Sequence, residues 1–181
     1  MTRKKFVVLL TGQPGCGKTT LIKSLIREWA GQIKMAGFVT REIREKGQRV
    51  GFELISLNGE RRLLSHVHLN TPFRVGKYRV DIRGFEEFLT RLSLTQPENE
   101  LVILDEIGKM ECLSEYFREL VLSLIEKGPP LLATVALVGT PYIEQIKSRP
   151  EAEIIQLTPE KRSQVRDSLK ARLSPLLWSK E

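Results

Sequence analysis

Two short stretches of this chain carry the residue types that chemistry on a polyphosphate requires. The first is Gly12-Gln13-Pro14-Gly15-Cys16-Gly17-Lys18-Thr19-Thr20, which follows the apolar run Phe6 to Leu10 and precedes the apolar-periodic run Leu21, Ile22, Leu25, Ile26. Strand, glycine-rich turn and helix, in that order, form the context of a phosphate-binding loop, and the spacing fits the Walker A pattern without a mismatch. Gly15 and Gly17 lack a Cβ, so the backbone can turn tightly and lay successive N–H groups against phosphate oxygens. The helix that follows points its partially positive end at the same oxygens. Lys18 is then placed to reach the β- and γ-phosphates, and the Thr19 hydroxyl to take a position on Mg²⁺. The second stretch, Leu101-Val102-Ile103-Leu104-Asp105-Glu106, is a continuous apolar strand that ends in two acids, the Walker B form. Asp105 at the tip of a buried strand can hold Mg²⁺ directly or through water. Glu106 points elsewhere and can orient and deprotonate an attacking water.

The elements that must position these residues are legible as alternating strands and helices. The first strand is expected over about Lys5 to Thr11, near-continuously apolar as a strand buried on both faces should be. A helix from Lys18 to about Trp29 stops near Gly31. Val50 to Leu57 alternates, Asn58-Gly59 gives a type I′ hairpin signal, and Arg62 to Val67 resumes the alternation. The stretch at about 37–82 therefore reads as an antiparallel β-hairpin insert on an α/β core. Arg74 to Asp81 leads into a helix over Gly84 to about Leu94. After the Asp105 strand come a helix over about Ser114 to Lys127, a strand over Leu131 to Val135, a short helix through Ile143 and Ile146, and a strand over Ala152 to Leu157. Thr158 is expected to cap the last helix, with Pro159 at its first position. Its basic residues Lys161, Arg162, Arg166, Lys170 and Arg172 read as a solvated face.

This alternation predicts a mostly parallel sheet flanked by helices, with ligand bound beyond the carboxyl ends of the strands. At 181 residues the chain fits one domain, 1–181, able to bury a core without staples. No segment approaches the ~20 apolar residues of a membrane helix, and the basic start Met1 to Lys5 runs into the first strand without the pattern of a signal peptide. The net charge of +7 suits phosphate ligands; no nucleic-acid recognition motif accompanies it, and nucleic acid is not expected as a partner. Two cysteines, Cys16 and Cys112, lack metal-ligand spacing and are expected as free thiols in a reducing, cytoplasmic compartment. Cys16 either fills space in the loop or has thiolate character at the helix end. His66 and His68 share a strand face without a third ligand, which favours packing over metal binding.

The chain resembles the small P-loop nucleoside-triphosphatases that include the cancer-related nucleoside-triphosphatase of animals and its thermophile relatives. The matching pieces are Gly12 to Thr20, Gly37 to Arg44, Arg49 to Phe52, Val75 to Tyr78 with Val80, Leu104 to Glu111 and Leu157 to Arg162. The string Asp105-Glu106-Ile107-Gly108-Lys109-Met110-Glu111 is the distinctive one. The resemblance implies a RecA-like core and a monomer that slowly hydrolyses ATP, GTP, CTP and UTP to diphosphate and phosphate with Mg²⁺ and little base selectivity. It places Lys18 and Thr19 on phosphate and metal, Asp105 on metal and Glu106 on water. Arg79 and Ala136 depart from the family's usual residues and bear on the base-side pocket.

Several roles stay open at this level. In P-loop ATPases with an extra glutamate, the strand carrying Thr134 lies between the other two, which would make Thr134 a polar sensor; otherwise it is a β-branched strand residue. A γ-phosphoryl transition state needs positive charge on its equatorial oxygens. Lys109 is a candidate for it, unless it pairs with Glu111 or Glu115; Arg41 and Arg44 are further candidates, unless they decorate a hairpin. Tyr78 either stacks on a base or packs. Two other functions fit the same motifs: a kinase whose small-molecule, nucleoside or nucleotide acceptor lies on the insert, and a nucleotide-dependent switch.

Overall fold

The structure, a computed structural model, describes residues 5–177. The basic Met1 to Lys4 lies outside the described residues. Five strands form the core of the sheet: β1 (Val7–Thr11), β2 (Met35–Glu45), β7 (Leu101–Ile107), β8 (Leu131–Val135) and β9 (Glu153–Gln156), all parallel where they pair with one another. Every residue of β1 and β8 is buried, as a strand covered on both faces demands. Alternate side chains go to opposite faces. Val7, Leu9, Val102, Leu104, Leu131 and Ala133 pack with α2 (Ile82–Leu92), α3 (Glu115–Lys127) and α4 (Pro141–Lys147). Val8, Leu10, Leu101, Ile103 and Leu132 pack with α1 (Lys18–Trp29) and α5 (Arg162–Leu177). The expected parallel sheet flanked by helices is thus the fold observed.

The antiparallel strands β3 (Gln48–Ser56), β4 (Arg61–His66), β5 (Arg74–Val75) and β6 (Tyr78–Val80) extend the same sheet, whose order is β5-β6-β4-β3-β2-β7-β8-β1-β9. Strand β2 belongs to both parts. Its first half, Met35 to Val39, pairs with β7, and Phe38 to Glu45 pairs with β3. Leu54, Leu64 and Val80 bury one face of the extension against Phe85, Phe88 and Leu89 of α2, where Phe38 meets both Phe85 and Phe88 edge-on.

Four local readings are corrected. The type I′ turn lies at Lys46-Gly47, where φ is 48° and 79° and Glu45 pairs with Gln48; at Asn58-Gly59 only the glycine has positive φ, and the β3–β4 loop is closed by the Ser56 N–H donating to Glu60 O at 2.8 Å. Helix α2 begins at Ile82, two residues earlier than expected, because the Asp81 carboxylate accepts the Gly84 N–H at 3.0 Å. Helix α5 begins at Arg162; Thr158 and Pro159 form a preceding turn in which the Lys161 N–H donates to Thr158 O. His68 lies beyond β4, and its N–H donates to His66 Nδ1 at 3.2 Å, a packing arrangement.

Candidate active site

The phosphate loop connects β1 to α1 and is shaped by Gly12, Gly15 and Gly17, whose φ angles are 151°, 79° and 101°. A Cβ on Gly12 would stand 2.5 Å from Leu157 O and 2.8 Å from Cys16 Sγ, so glycine is required there by space as well as by conformation. Cys16 is buried under the loop and donates its N–H to Gln13 O, acting as filler; both cysteines are free. Gly17 is the N-cap of α1 without a side-chain hydrogen bond, and no acid occupies the first turn. The first amides of this helix are therefore left for an anion. Lys18 arches back over the loop, its Nζ donating to Gly12 O at 2.8 Å and Gln13 O at 3.2 Å.

Strand β8 lies between β1 and β7, the order that brings Thr134 beside Asp105. Asp105 is 2% exposed. Its Oδ1 accepts the Thr134 hydroxyl at 2.6 Å, while its buried Oδ2 has no hydrogen-bond partner among the described residues. Burial pushes the Asp105 carboxyl up from its ordinary value, against the Thr134 hydrogen bond and the nearby Thr19, Lys23 and Lys18. Burial and the neighbouring Asp105 charge push Glu106 up as well, and Lys18 pulls it down. From the insert side, the Thr40 hydroxyl donates to Asp105 O at 2.6 Å.

A cavity of about 490 Å³ joins these pieces, lined by Pro14, Gly15, Gly17, Lys18, Thr19 and Thr20 of the phosphate loop and α1, by Asp105, Glu106, Lys109, Met110 and Glu111 at and after the end of β7, by Ala136 after β8, and by Thr40, Glu42, Phe52 and Val75 of the extension. Lys109 is exposed at the rim and makes no ion pair with Glu111 or Glu115. Arg41 is not brought to the cavity: the strand alternation that points Thr40 and Glu42 inward sends Arg41 to the opposite face, where it pairs with Glu53 beside Arg61. Arg44 pairs with Glu42 at the rim through Nη2 at 2.6 Å. Tyr78 is buried, packs edge-on against Phe52, and accepts the Arg49 Nε–H at 2.8 Å; it forms part of the wall's backing. Arg79 likewise is a structural residue, donating to Thr71 O, whereas Ala136 does line the cavity.

Glu111, weighed in the sequence only as a partner for Lys109, is the residue most underrated there. It opens a 3₁₀ turn (Glu111–Leu113), is 4% exposed, and its carboxyl is pushed up to about 8, chiefly by burial and then by Glu106. Gly108 lies between the two acids: a Cβ there would stand 2.7 Å from Glu106 Oε1 and 2.8 Å from Glu111 Oε2. The signal available was the bare glycine between acids spaced five residues apart. Thr40, Glu42 and Phe52 were also missed as lining residues, although the period-two alternation of β2 marks the first two as sharing a face.

A loop of free amides, a lysine, and a strand-end acid with one oxygen unpartnered meet in one cavity. A family model described as NTPase matches residues 7–170. The chain belongs to the NTPase family. This NTPase is similar to the nucleoside-triphosphatase THEP1 of Thermotoga sp. (strain RQ2), 43% identical over 159 residues that cover 86% of this chain and 88% of that one. It is similar also to the cancer-related nucleoside-triphosphatase of Homo sapiens, 36% identical over 172 residues covering 86% and 90%. The crystal structure of THEP1 from Aquifex aeolicus superposes with a TM-score of 0.82 at 31% identity, covering 93% of this NTPase and 99% of that chain. The resemblance read from the Asp105 to Glu111 string therefore holds, and with it the α/β fold.

Proposed function

We propose that this NTPase hydrolyses ATP, GTP, CTP and UTP to the diphosphate and phosphate, slowly, as a Mg²⁺-dependent monomer. The observation that carries the reading is the Asp105 carboxylate, buried near Thr19 in the cavity that the phosphate loop also lines, with Oδ2 unpartnered among the described residues. An orphaned anionic oxygen in that position fits a divalent cation. Among the described residues no group of three or more His, Cys, Asp and Glu is arranged to hold a metal. Thr19 and Asp105 as sparse protein donors suit Mg²⁺, which keeps waters and takes phosphate oxygens as its other ligands. When bound, the cation supplies Lewis-acid neutralisation of the β- and γ-phosphate charge.

The remaining work falls to the chain itself. The amides of Gly15 to Thr20 and the Lys18 ammonium hold the triphosphate and orient its γ-phosphorus. Glu106 accepts the proton of the attacking water. Buried Glu111, its carboxyl raised to about 8, retains its proton near neutral pH and so adds no second negative charge beside Glu106. Lys109, exposed and unpaired at the rim, supplies a second positive charge for the γ-phosphoryl oxygens. Each of these groups addresses phosphate, cation or water, the parts shared by all four nucleotides, which supports broad base specificity. Both cysteines are free, which supports a reducing, cytoplasmic setting; no helix among the described residues is long and apolar enough to cross a membrane.

A kinase reading has one observation in its favour: Phe52, Val75, Met110 and Ala136 add apolar surface to the lining of the Glu106 cavity, beside which a small hydroxyl compound could replace water. Phosphate release from each nucleotide, with Mg²⁺ or EDTA and with chromatographic identification of products, tests the proposal. Hydrolysis predicts γ-phosphate loss with nothing added; release of pyrophosphate, or turnover only with an added acceptor, would overturn it.

A further inference from the structure

The basic residues of α5 are not a uniformly solvated face. Arg166 pairs with Glu28 at 2.9 Å, Lys170 also pairs with Glu28, and Arg172 pairs with Glu153 at 2.5 Å. Arg162, the first residue of that helix, makes no ion pair with any described residue, and its side chain lies against the phosphate loop instead. A Cβ on Gly17 would stand 2.9 Å from Arg162 Nη1 and 3.1 Å from its Cδ. The placement is held from below: Leu157 N–H donates to Thr11 O at 2.7 Å, the Thr158 to Arg162 turn closes on itself, and the Arg166–Glu28 pair ties α5 to α1.

Electrostatically this is an unfavourable place for a lone guanidinium. Gly17 is the N-cap of α1, so the cation faces the positive end of a helix that has neither a capping side chain nor a first-turn acid. Two positive features turned towards one spot are reconciled by an anion between them. The nucleotide has such an anion. With Lys18 reaching the β- and γ-phosphates, the α-phosphate, which the amides of such a loop also cradle, is the one left without a side-chain cation.

We propose that Arg162 is a substrate-binding residue whose guanidinium pairs with the α-phosphate, fastening the nucleotide by charge on its nucleoside side without reading the base. The inference rests on the triphosphatase reading above and adds to it a contact outside the two phosphate motifs. It predicts a uniform effect on binding and almost none on the chemical step, because the α-phosphate does not change its charge during γ-phosphoryl transfer.

The test compares wild type, Arg162→Ala and Arg162→Lys by steady-state kinetics with ATP, GTP, CTP and UTP, and by calorimetric titration with ADP in EDTA. For Arg162→Ala, KM for all four nucleotides and Kd for ADP should rise together by about tenfold, the size of a lost charge-assisted hydrogen bond, with kcat within about twofold and the melting temperature unchanged. Arg162→Lys, which keeps the charge, should recover most of that loss. Unchanged ADP affinity in Arg162→Ala would overturn the proposal. So would a loss that differs among the bases, which marks ring stacking, or a fall in kcat alone, which marks a transition-state contact. If wild type binds ADP but hydrolyses none of the four nucleotides, the triphosphatase reading fails, and the ADP titration still decides the role of Arg162.

Discussion

The Thr134 hydroxyl donates to Asp105 Oδ1 at 2.6 Å across the boundary between β8 and β7. Because both side chains are buried, this bond fixes which carboxylate oxygen is occupied and which, Oδ2, is left without a hydrogen-bond partner among the described residues. The position of the acid is therefore set by the strand that separates the two phosphate motifs in the sheet.

Replacing Thr134 by valine keeps the shape and removes the donor. Leaving a buried carboxylate oxygen unpaired costs about 1–3 kcal/mol, and loosening the metal-holding acid should weaken Mg²⁺ affinity by about tenfold or more. Thr134→Ser should retain most of both. Mg²⁺ titration of phosphate release and thermal melting separate the two effects; a valine variant with wild-type Mg²⁺ dependence contradicts the assignment.

Glu106→Gln removes the proposed base and keeps the size. Phosphate release should fall by at least about a hundredfold, while ADP affinity stays within a few fold, since the amide loop and Lys18 are untouched. Loss of binding and turnover together would mean that Glu106 holds the pocket open instead of activating water.

Gly108→Ala introduces a methyl group 2.7 Å from Glu106 Oε1 and 2.8 Å from Glu111 Oε2. Both carboxyl groups must move apart, and a displaced base should lower kcat by about ten- to a hundredfold with KM little changed. Single-turnover kinetics at saturating nucleotide reads the chemical step directly; wild-type kcat would show that the Glu106 position is not critical.

Glu111 supplies a pH test of stability. Its carboxyl, ordinarily near 4.5, is raised to about 8 in the fold. The folded chain thus holds a proton that the unfolded chain gives up earlier, so the stability tied to Glu111 is complete at low pH and is lost as pH rises through about 8. Neutral Glu111→Gln should melt close to wild type at about pH 5 and above it at about pH 9, measured in EDTA. A wild-type melting curve no more sensitive to alkaline pH than that of the variant would reject a buried protonated acid.

How far the sequence carries depends on whether a feature is made by neighbouring residues or distant ones. Phosphate binding needs glycines, lysine and threonine at adjacent positions, and the metal acid needs a strand end, so Gly12 to Thr20 and Asp105-Glu106 are legible as strings. Glu111 is not, because its burial comes from a 3₁₀ turn folded against Glu106 over Gly108. Arg162 is placed by Leu157 pairing with Thr11 and by Arg166 pairing with Glu28, contacts that no local pattern announces. The hairpin signal at Asn58-Gly59 marked a real reversal but the wrong turn. The two-residue turn falls at Lys46-Gly47, where strand register, with Glu45 opposite Gln48, overrides the poor preference of lysine for positive φ.

Strand β2 runs without interruption from the parallel core into the hairpin extension, and its Thr40 is bonded to the Asp105 carbonyl. The β2–β3 pairing is regular from Phe38 to Ile43 and shifts register only between Ile43 and Arg44. A displacement of the hairpin inside that shift is carried along β2 to the backbone of Asp105, so this part of the hairpin works as a handle on the site.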